Sequence, residues 1–440
     1  MIQLDQTIAA PSPAADFAAA EARPDFAPNT ALPRHRWYRF KEGFSAGLVA
    51  SFTEEFLPKA GGRLLDPFLG SGTTAVEGAR LGHCVVGVET NPFMAFLGRV
   101  KSGNYAGLRD IESVAMRCLA NRRIAPAFRL PDDTTLIERR GLDKWLLNRS
   151  VARRFEQVRT AIADVKPRAL RNLLTLALVS CIEDVANARK DGKCWRYRSQ
   201  WRKLNFDAQA LDDAFATQVL RFVEDIEGMP RLPGSATVLH GDSRQCCDHL
   251  DDADTHFDGL LTSPPYLNSF DYTDIYRPEV FLLHAARNST ELRKIRFKTV
   301  RSHVQVAWEN SDPLPIPLLQ QKIRAIGEAD LWCGRIPDMI NAYFVDLDRV
   351  VEQCAQRLKV GATAGFVVAD SAYSGVVIPV DLILSEILER RGYETKKITI
   401  FRKTRGNGNH QQRSEERLKE VMVVAEYKGA CRIQSAKRIA

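Results

Sequence analysis

The 440-residue chain lacks several patterns that would assign it to a class of protein at once. None of its nine cysteines stands in a Cys-x-x-Cys pair, which argues against a zinc site or a disulfide framework and favours a reducing, cytoplasmic environment. No uninterrupted apolar run is long enough to span a membrane, and the N-terminus has no basic segment followed by an apolar one. We therefore expect neither a membrane anchor nor a signal peptide, and we see no internal repeat.

The composition is that of an ordinary globular protein with an excess of positive charge. Hydrophobic residues make up 45% of the chain and charged residues 26%. The net charge of +8 and the isoelectric point near 9.0 are compatible with a polyanionic partner. The length is sufficient for a large core and for more than one substructure.

The order of predicted elements indicates an α/β fold. The predicted helices are Phe44–Leu57, Thr73–Leu81, Leu173–Ala188, Leu211–Ile226, Asp338–Leu358 and Val380–Arg391. The predicted strands are Arg63–Asp66, Cys84–Glu89, Ala236–His240, Phe257–Thr262, Ala364–Ala369, Thr395–Phe401 and Glu420–Glu426. Their alternation predicts a doubly wound, mostly parallel sheet of seven strands. The last two strands have no helical pattern between them and are predicted to pair antiparallel.

The same pattern predicts how the chain is divided. Residues 1–30, rich in Ala, Pro and Asp, are predicted to form a disordered or loosely attached arm. The main α/β domain is predicted to be discontinuous, formed by residues 31–105 and 231–428. A helical insertion covers residues 106–230, a second insertion covers residues 287–335, and residues 429–440 form a tail.

The run Thr262–Tyr266 reads Thr-Ser-Pro-Pro-Tyr and follows an apolar predicted strand. Two consecutive prolines cannot donate to a sheet, so the strand must end there. The fixed φ angles of Pro264 and Pro265 leave the carbonyl groups of Ser263 and Pro264 on a stiff backbone, beside the flat ring of Tyr266. Such a row of acceptors suits a planar base held by its exocyclic amino group. A plain strand exit with a packed tyrosine is the alternative.

A glycine-rich turn follows the first predicted strand. Gly70, Gly72 and Ala75 have the Gly-x-Gly-x-x-Ala spacing of nucleotide-binding turns. Glu89 ends the second predicted strand, where it could accept hydrogen bonds from ribose hydroxyls, and Asp242 ends the third, where it could accept one from an adenine amino group. By itself this pattern is compatible with a turn that binds nothing or with NAD. The Asp-Pro-Phe before the glycines and the second strand-end site at residues 262–266 argue against NAD.

Together these motifs resemble the amino-methylating DNA methyltransferases that use S-adenosylmethionine. The resemblance covers roughly residues 35–105 and 236–426, and it includes Trp37–Ser45, which is similar to an upstream motif that contacts the methionine part of the cofactor. It implies a class I methyltransferase, Rossmann-like fold. The cofactor-binding residues that it implies are Phe44, Ser45, Asp66, Pro67, Phe68, Gly70, Ser71, Gly72, Thr73, Thr74, Glu89, Asp242 and Ser243. The catalytic residues that it implies are Ser263, Pro264, Pro265 and Tyr266.

The resemblance also implies a reaction. In this family, Ser-Pro-Pro-Tyr is most often associated with methylation of cytosine at N4, whereas Asp- or Asn-Pro-Pro-Tyr is typical of adenine N6. We therefore expect methyl transfer to cytosine N4 in duplex DNA, with the base flipped out of the helix. Adenine N6, an RNA base-amino group and a non-catalytic nucleic-acid-binding role are the alternatives. No Pro-Cys dipeptide is present, which argues against the ring-carbon methyltransferases, and no metal is called for.

Further expectations concern partners and the remaining site residues. A cognate restriction endonuclease and a nucleoid-associated place in a prokaryotic cytoplasm follow from the resemblance. Asp271 is the nearest candidate proton acceptor, with a solvated loop carboxylate as the alternative.

Basic segments at Lys190–Lys203, Arg293–His303 and Arg402–Arg413 suit contacts with DNA phosphates. The predicted DNA-binding residues are Lys193, Trp195, Arg196, Arg198, Arg202, Arg301, Arg402 and Arg405. Because the helical insertion separates the second and third cofactor motifs, the location of the recognition element stays open.

Overall fold

The computed structural model describes residues 22–58, 61–121, 135–192, 194–251, 256–306, 311–404 and 417–429. Its α-helices are α1 Ala46–Phe56, α2 Thr73–Arg80, α3 Pro92–Lys101, α4 Ile111–Ala120, α5 Arg149–Ala163, α6 Arg168–Ser180, α7 Trp201–Leu204, α8 Ala208–Gly228, α9 Cys246–His249, α10 Tyr272–Ile275, α11 Arg277–Leu282, α12 Ser289–Phe297, α13 Pro317–Gly327, α14 Ile336–Ala355 and α15 Val380–Arg390. Its strands are β1 Arg63–Asp66, β2 Cys84–Glu89, β3 Ala188–Asp191, β4 Cys194–Tyr197, β5 Ser235–His240, β6 Phe257–Thr262, β7 Leu358–Ala369, β8 Ser371–Tyr373, β9 Val376–Ile378, β10 Tyr393–Thr404 and β11 Leu418–Tyr427. Short 3-10 turns lie at Ala27–Thr30, His35–Trp37 and Ser243–Gln245.

The main sheet has seven strands in the order β10-β11-β7-β6-β1-β2-β5. β5, β2, β1, β6 and β7 pair in parallel, and β11 is antiparallel to both β7 and β10. The predicted fold class is therefore confirmed, including the antiparallel pairing of the last two strands.

The centre of the sheet is buried on both faces. Successive side chains of a strand point to opposite faces, so Leu64 and Leu65 of β1 enter different cores. Leu64 packs in the cluster that contains Phe52 of α1, and Leu65 packs in the cluster that contains Phe344 of α14. Both leucines have no exposed surface. Helices on both faces explain why β1 and β6 each carry two consecutive leucines, Leu64–Leu65 and Leu260–Leu261, all four fully buried.

The predicted helical insertion forms a further core that is continuous with the main domain. Helices α4, α5, α6 and α8 contribute to it, and Trp37 from the N-terminal segment stacks on Phe222 of α8 with ring centroids 4.3 Å apart. The insertion is not entirely helical, because α6 ends at Ser180 rather than near Ala188, and β3 and β4 form an antiparallel hairpin that turns at Gly192. This hairpin carries no strand signal that distinguishes it from the helical segments around it in the sequence.

Part of the predicted N-terminal arm is packed against the fold. Residues 1–21 lie outside the described residues, but Phe26 is 2% exposed and Asn29 is fully buried. The Asn29 side chain donates to the carbonyl of Phe44 and accepts from the amide of Ala46, at 3.0 and 2.7 Å. The prediction of a loosely attached arm is therefore wrong for residues 22–30, because these hydrogen bonds attach them to the start of α1. Among the described residues, no helix has the length and apolarity needed to cross a membrane.

Candidate active site

A cavity opens at the carboxyl ends of β1, β2, β5 and β6. It encloses about 1060 Å³, including its open mouth. Its lining residues are Phe40, Glu42, Gly43, Phe44, Asp66, Phe68, Leu69, Gly70, Ser71, Thr73, Glu89, Thr90, Asn91, Met94, Asp242, Ser243, Ser263, Pro264, Pro265, Tyr266, Tyr272, Thr273, Tyr276, Lys298, Thr299, Val300, Ser302 and His303. Because carboxyl ends of parallel strands meet at one edge of a sheet, four separate sequence motifs contribute to the same crevice.

Asp66 connects the ends of β1 and β6. Its carboxylate accepts from the Thr262 hydroxyl at 2.6 Å and from the Phe68 amide at 3.0 Å. Burial raises the pKa of Asp66 to about 6, although both hydrogen bonds favour the ionised form. The two predicted strand-end motifs are thus joined by a direct side-chain contact.

The glycines of the turn after β1 have conformational and steric roles. Gly70 and Gly72 have φ angles of +53° and +85°, in the left-handed region that side chains disfavour. A Cβ on Gly72 would lie 2.9 Å from the Cα of Gly98, so a side chain there would push α2 away from α3. Gly72 thus allows a close approach of the backbones of α2 and α3.

Glu89 holds the glycine turn against the end of β2. One carboxylate oxygen accepts from the Gly70 amide at 2.8 Å and the other from the Asn91 amide at 2.7 Å. Each oxygen retains a further lone pair for a ligand donor. Burial raises the pKa of Glu89 to about 7.

Asp242 lines the cavity, and its carboxylate also interacts with Arg244. Its carboxylate accepts from the Arg244 amide at 2.9 Å and forms an ion pair with the Arg244 guanidinium, in which Oδ2 lies 2.7 Å from Nη2. It therefore caps the following 3-10 turn, Ser243–Gln245. The Ser243 hydroxyl donates to the carbonyl of Pro67, which ties the end of β5 to the glycine turn.

The residues after β6 border the cavity beside this turn. The Ser263 hydroxyl donates to the carbonyl of Val367 in β7 at 3.2 Å. The Tyr266 hydroxyl donates to Oε1 of Glu420 in β11 at 2.8 Å. Burial, and next the Glu420 carboxylate, raise the pKa of Tyr266 well above its usual value, so this hydroxyl stays protonated and acts as a donor. Pro264 and Pro265 also line the cavity.

Four residues predicted to bind the cofactor do not line this cavity but support it. Ser45 caps α1 by accepting from the Leu48 amide at 3.2 Å. Gly72 precedes α2, Thr74 lies in the first turn of that helix, and Pro67 accepts from Ser243. These four residues therefore support the cavity wall without lining the cavity.

Asp271 has a structural role that the sequence analysis did not predict. It caps α10 by accepting from the amides of Thr273 and Asp274, at 2.9 and 3.2 Å. Its other carboxylate oxygen lies 2.7 Å from Nε of Arg296. Asp271 is therefore an ion-paired helix cap rather than a solvated loop carboxylate.

The lining residues that were not predicted as site residues are Phe40, Glu42, Gly43, Leu69, Thr90, Asn91, Met94, Tyr272, Thr273, Tyr276, Lys298, Thr299, Val300, Ser302 and His303. Phe40, Glu42 and Gly43 lie inside the quoted upstream segment Trp37–Ser45, which was a usable signal. Tyr276, whose hydroxyl donates to Glu42, and the stretch Lys298–His303 carried no motif of their own. Residues 298–303 lie in the basic segment Arg293–His303, which was predicted to contact DNA because of its positive charge and not to line the cavity.

The predicted DNA-binding residues occupy different environments. Lys193 and Arg405 lie outside the described residues. Trp195 is half-buried on the β3–β4 hairpin and donates to the carbonyl of Ile275 at 2.9 Å, whereas Arg196 is 74% exposed and pairs with Asp191.

The remaining arginines of that group are engaged with protein acceptors. Arg198 donates to the carbonyl of Ala186 and Arg202 to that of Asp143, both at 2.8 Å, and Arg402 pairs with Glu420. Arg301 is 5% exposed, and its Nη2 lies 2.7 Å from Asp346. The prediction that Arg301 contacts DNA is therefore corrected: its guanidinium is buried against a carboxylate of α14.

The fold and this cavity define a protein of class I methyltransferase architecture. The chain is similar to the type II methyltransferase M.AvaI of Nostoc sp., with 26% identity over 432 residues that cover 88% of this chain and 84% of the relative. It is also similar to the type II methyltransferases M.BsoBI of Geobacillus stearothermophilus (25% identity, covering 86% of this chain and 82% of the relative) and M.MvaI of Kocuria varians (22% identity, covering 82% of each). No protein-family model matches the chain.

Solved structures add little to this assignment. TrmN from Thermus thermophilus aligns with a TM-score of 0.30 and 10% identity, covering 87% of this chain and 49% of TrmN. A likeness at this level carries no argument about function. The fold assignment therefore rests on the strand order.

Proposed function

We propose that the protein is a DNA methyltransferase that transfers a methyl group from S-adenosylmethionine to the exocyclic N4 amine of cytosine in duplex DNA. The observation that carries the proposal is that Ser263–Tyr266 line the same cavity as Glu89 and Asp242. The proposed base-holding motif and the proposed nucleoside-holding residues thus line one crevice. Similarity to type II methyltransferases supports DNA as the substrate and membership of a restriction-modification system. A partner endonuclease is part of the proposal.

The described residues fit the proposed cofactor. Glu89 offers a carboxylate with remaining acceptor capacity for ribose hydroxyls, and Asp242 offers an acceptor for an adenine amino group. The Ser71 hydroxyl is buried beside them with no hydrogen-bond partner among the described residues, which leaves it ready for a ligand. Phe44 and Phe68 provide apolar walls. Bound S-adenosylmethionine would supply a methyl group activated by a positively charged sulfur.

The residues after β6 would prepare the acceptor amine. The exocyclic amine of cytosine is a poor nucleophile because its lone pair is delocalised into the ring. The Ser263 hydroxyl and the Pro264 carbonyl would accept its N–H bonds and stabilise the geometry in which that pair is localised. The Tyr266 ring would stack on the flipped base, an interaction worth about 1–3 kcal/mol. The flipped base must enter the cavity through its open mouth.

DNA binding is proposed for the exposed cations near this mouth. Lys298 lines the cavity and is exposed, and Arg293 is exposed on the helix α12 that precedes it. Arg196 on the β3–β4 hairpin, predicted from the sequence, is also well exposed. Such side chains would position DNA through its phosphates without reading its sequence.

The proposal is tested by the identity of the methylated base. Purified protein, S-adenosylmethionine with a labelled methyl group and DNA of mixed sequence should place the label on cytosine N4, as measured by mass spectrometry of digested nucleosides. Label on adenine N6 alone would contradict the base assignment and retain the class, and label on RNA alone would contradict DNA as the substrate. Long-read sequencing of DNA from a host that expresses the protein would give the sequence context of the modified base.

Cofactor affinity should depend on pH through Glu89. Its pKa is raised to about 7, so the free protein carries a mostly protonated Glu89 at pH 6 and a mostly ionised one at pH 8. Ribose hydroxyls donate to the ionised form, so cofactor binding at pH 6 must first release a proton. We expect the dissociation constant to be about tenfold higher at pH 6 than at pH 8.

The matched control for this titration is Glu89→Gln, measured by calorimetry over the same pH range. It retains the titration of the cofactor itself and of Asp66, but not that of Glu89. The difference in pH dependence between the two proteins isolates Glu89, and identical pH profiles would contradict its assignment as the ribose acceptor.

A further inference from the structure

Three side chains form a row across the edge of the sheet where the cavity opens. Arg402 lies on β10, Glu420 lies opposite it on β11, and Tyr266 follows β6 on the far side of β7. Oε1 of Glu420 accepts from the Tyr266 hydroxyl at 2.8 Å, and its Oε2 accepts from Nε of Arg402. Register places them together, because Glu420 pairs with Arg402 on one side and with Ala369 of β7 on the other.

Glu420 is not itself part of the cavity wall. It is 6% exposed and does not line the cavity, whereas the Tyr266 ring does. Any influence of Glu420 on a ligand in the cavity must therefore pass through Tyr266. The two prolines before Tyr266 restrict its backbone, but the plane of its ring depends on side-chain torsions that only contacts of the ring and hydroxyl can hold.

We propose that Glu420 is a positioning residue for methyl transfer: it anchors the Tyr266 hydroxyl and so holds the ring in the plane in which it stacks on the target base. Arg402 holds the Glu420 carboxylate from the opposite side. This inference rests on the proposed function, because it assigns a task to the same aromatic ring. It adds a residue of β11 that does not itself line the cavity to the site at the carboxyl ends of β1, β2, β5 and β6.

A double-mutant cycle distinguishes this role from a merely structural one. Tyr266→Phe keeps the ring but removes the anchored hydroxyl, and Glu420→Ala removes the anchor. Each should lower kcat about 10- to 100-fold, the effect of losing a hydrogen bond to a charged acceptor, with the cofactor dissociation constant unchanged. The double variant should be no slower than the slower single variant, because each single change already removes the Tyr266–Glu420 hydrogen bond.

Glu426→Ala is the matched control. Glu426 lies on the same strand but is more exposed and pairs with Lys396 and Lys428, so its removal should leave kcat at the wild-type value. Thermal unfolding of all variants separates loss of positioning from loss of folded protein. A Glu420→Ala variant that is folded and turns over at the wild-type rate would overturn the inference, as would single effects that multiply in the double variant.

Failure of the proposed function and failure of the role proposed for Glu420 give different experimental results. If the wild-type protein methylates no DNA, the proposed function fails, and the position of the Tyr266 ring in crystals of wild type and Glu420→Ala still tests the inference. We expect the ring to change its plane or to occupy several conformers in the variant. A ring that keeps one unchanged position without Glu420 would overturn the assignment.

Discussion

Replacing Ser263 with alanine should lower kcat about 100- to 1000-fold while the cofactor dissociation constant stays close to the wild-type value. The hydroxyl is proposed to accept an N–H of the target amine as its lone pair localises, and loss of one such preorganised polar group costs a factor of this order. Ser263 is anchored on the carbonyl of Val367 in β7 and lies apart from the Glu89 turn that would hold the cofactor nucleoside. Steady-state kinetics with labelled cofactor and calorimetric cofactor titration give the two numbers.

Ser51→Ala serves as the control for this experiment. Ser51 is an exposed serine on α1, and its loss should change neither quantity. Because the Ser263 hydroxyl also bonds to β7, the unfolding temperature of each variant must be compared with that of the wild type. A folded Ser263→Ala protein with wild-type turnover would remove the proposed role of this hydroxyl.

Replacing Glu89 with alanine should weaken cofactor binding about 100-fold or more. The change removes the proposed ribose acceptor and also leaves the amides of Gly70 and Asn91 without their acceptor at the end of β2. An unsatisfied buried donor costs about 1–3 kcal/mol, so the glycine turn should lose the conformation that faces the cavity. Calorimetric titration with S-adenosylmethionine measures the effect, and kcat at saturating cofactor should fall much less than the affinity.

Glu54→Ala is the control for the loss of a glutamate. Glu54 is exposed on α1, away from the glycine turn, and its replacement should leave cofactor affinity unchanged. If Glu89→Ala bound the cofactor as tightly as the wild type, the assignment of this crevice to the cofactor nucleoside would be wrong.

The fold could be predicted from the sequence because its elements differ clearly in period and composition. Short apolar runs such as Leu64–Leu65 alternate with amphipathic helices, and a βαβ sequence with right-handed connections has few possible arrangements. The antiparallel last pair followed from the missing helix between β10 and β11. The ends of the predicted elements were less accurate, as at α6, which stops at Ser180.

Several side-chain roles could not be predicted from the sequence, because burial and ion pairing depend on residues that are distant along the chain. Arg301 looked like a surface cation in a basic stretch, but it is buried against Asp346, 45 residues away. Asp271 looked like a loop carboxylate, but Arg296 pairs with it and α10 starts at it. Neither partner can be identified from the local pattern of charge.

The sequence alone determined which motifs end which strands: Asp66 at the end of β1 and the glycine turn after it, Glu89 at the end of β2, Asp242 after β5 and Ser263–Tyr266 after β6. Parallel strands bring their carboxyl ends to one edge of the sheet, so these residues must lie close together there. Only the tertiary structure decided what supports them. Glu420 reaches Tyr266 across 154 residues of chain because the register of β10, β11 and β7 places them side by side, and strand register is a property of the assembled sheet.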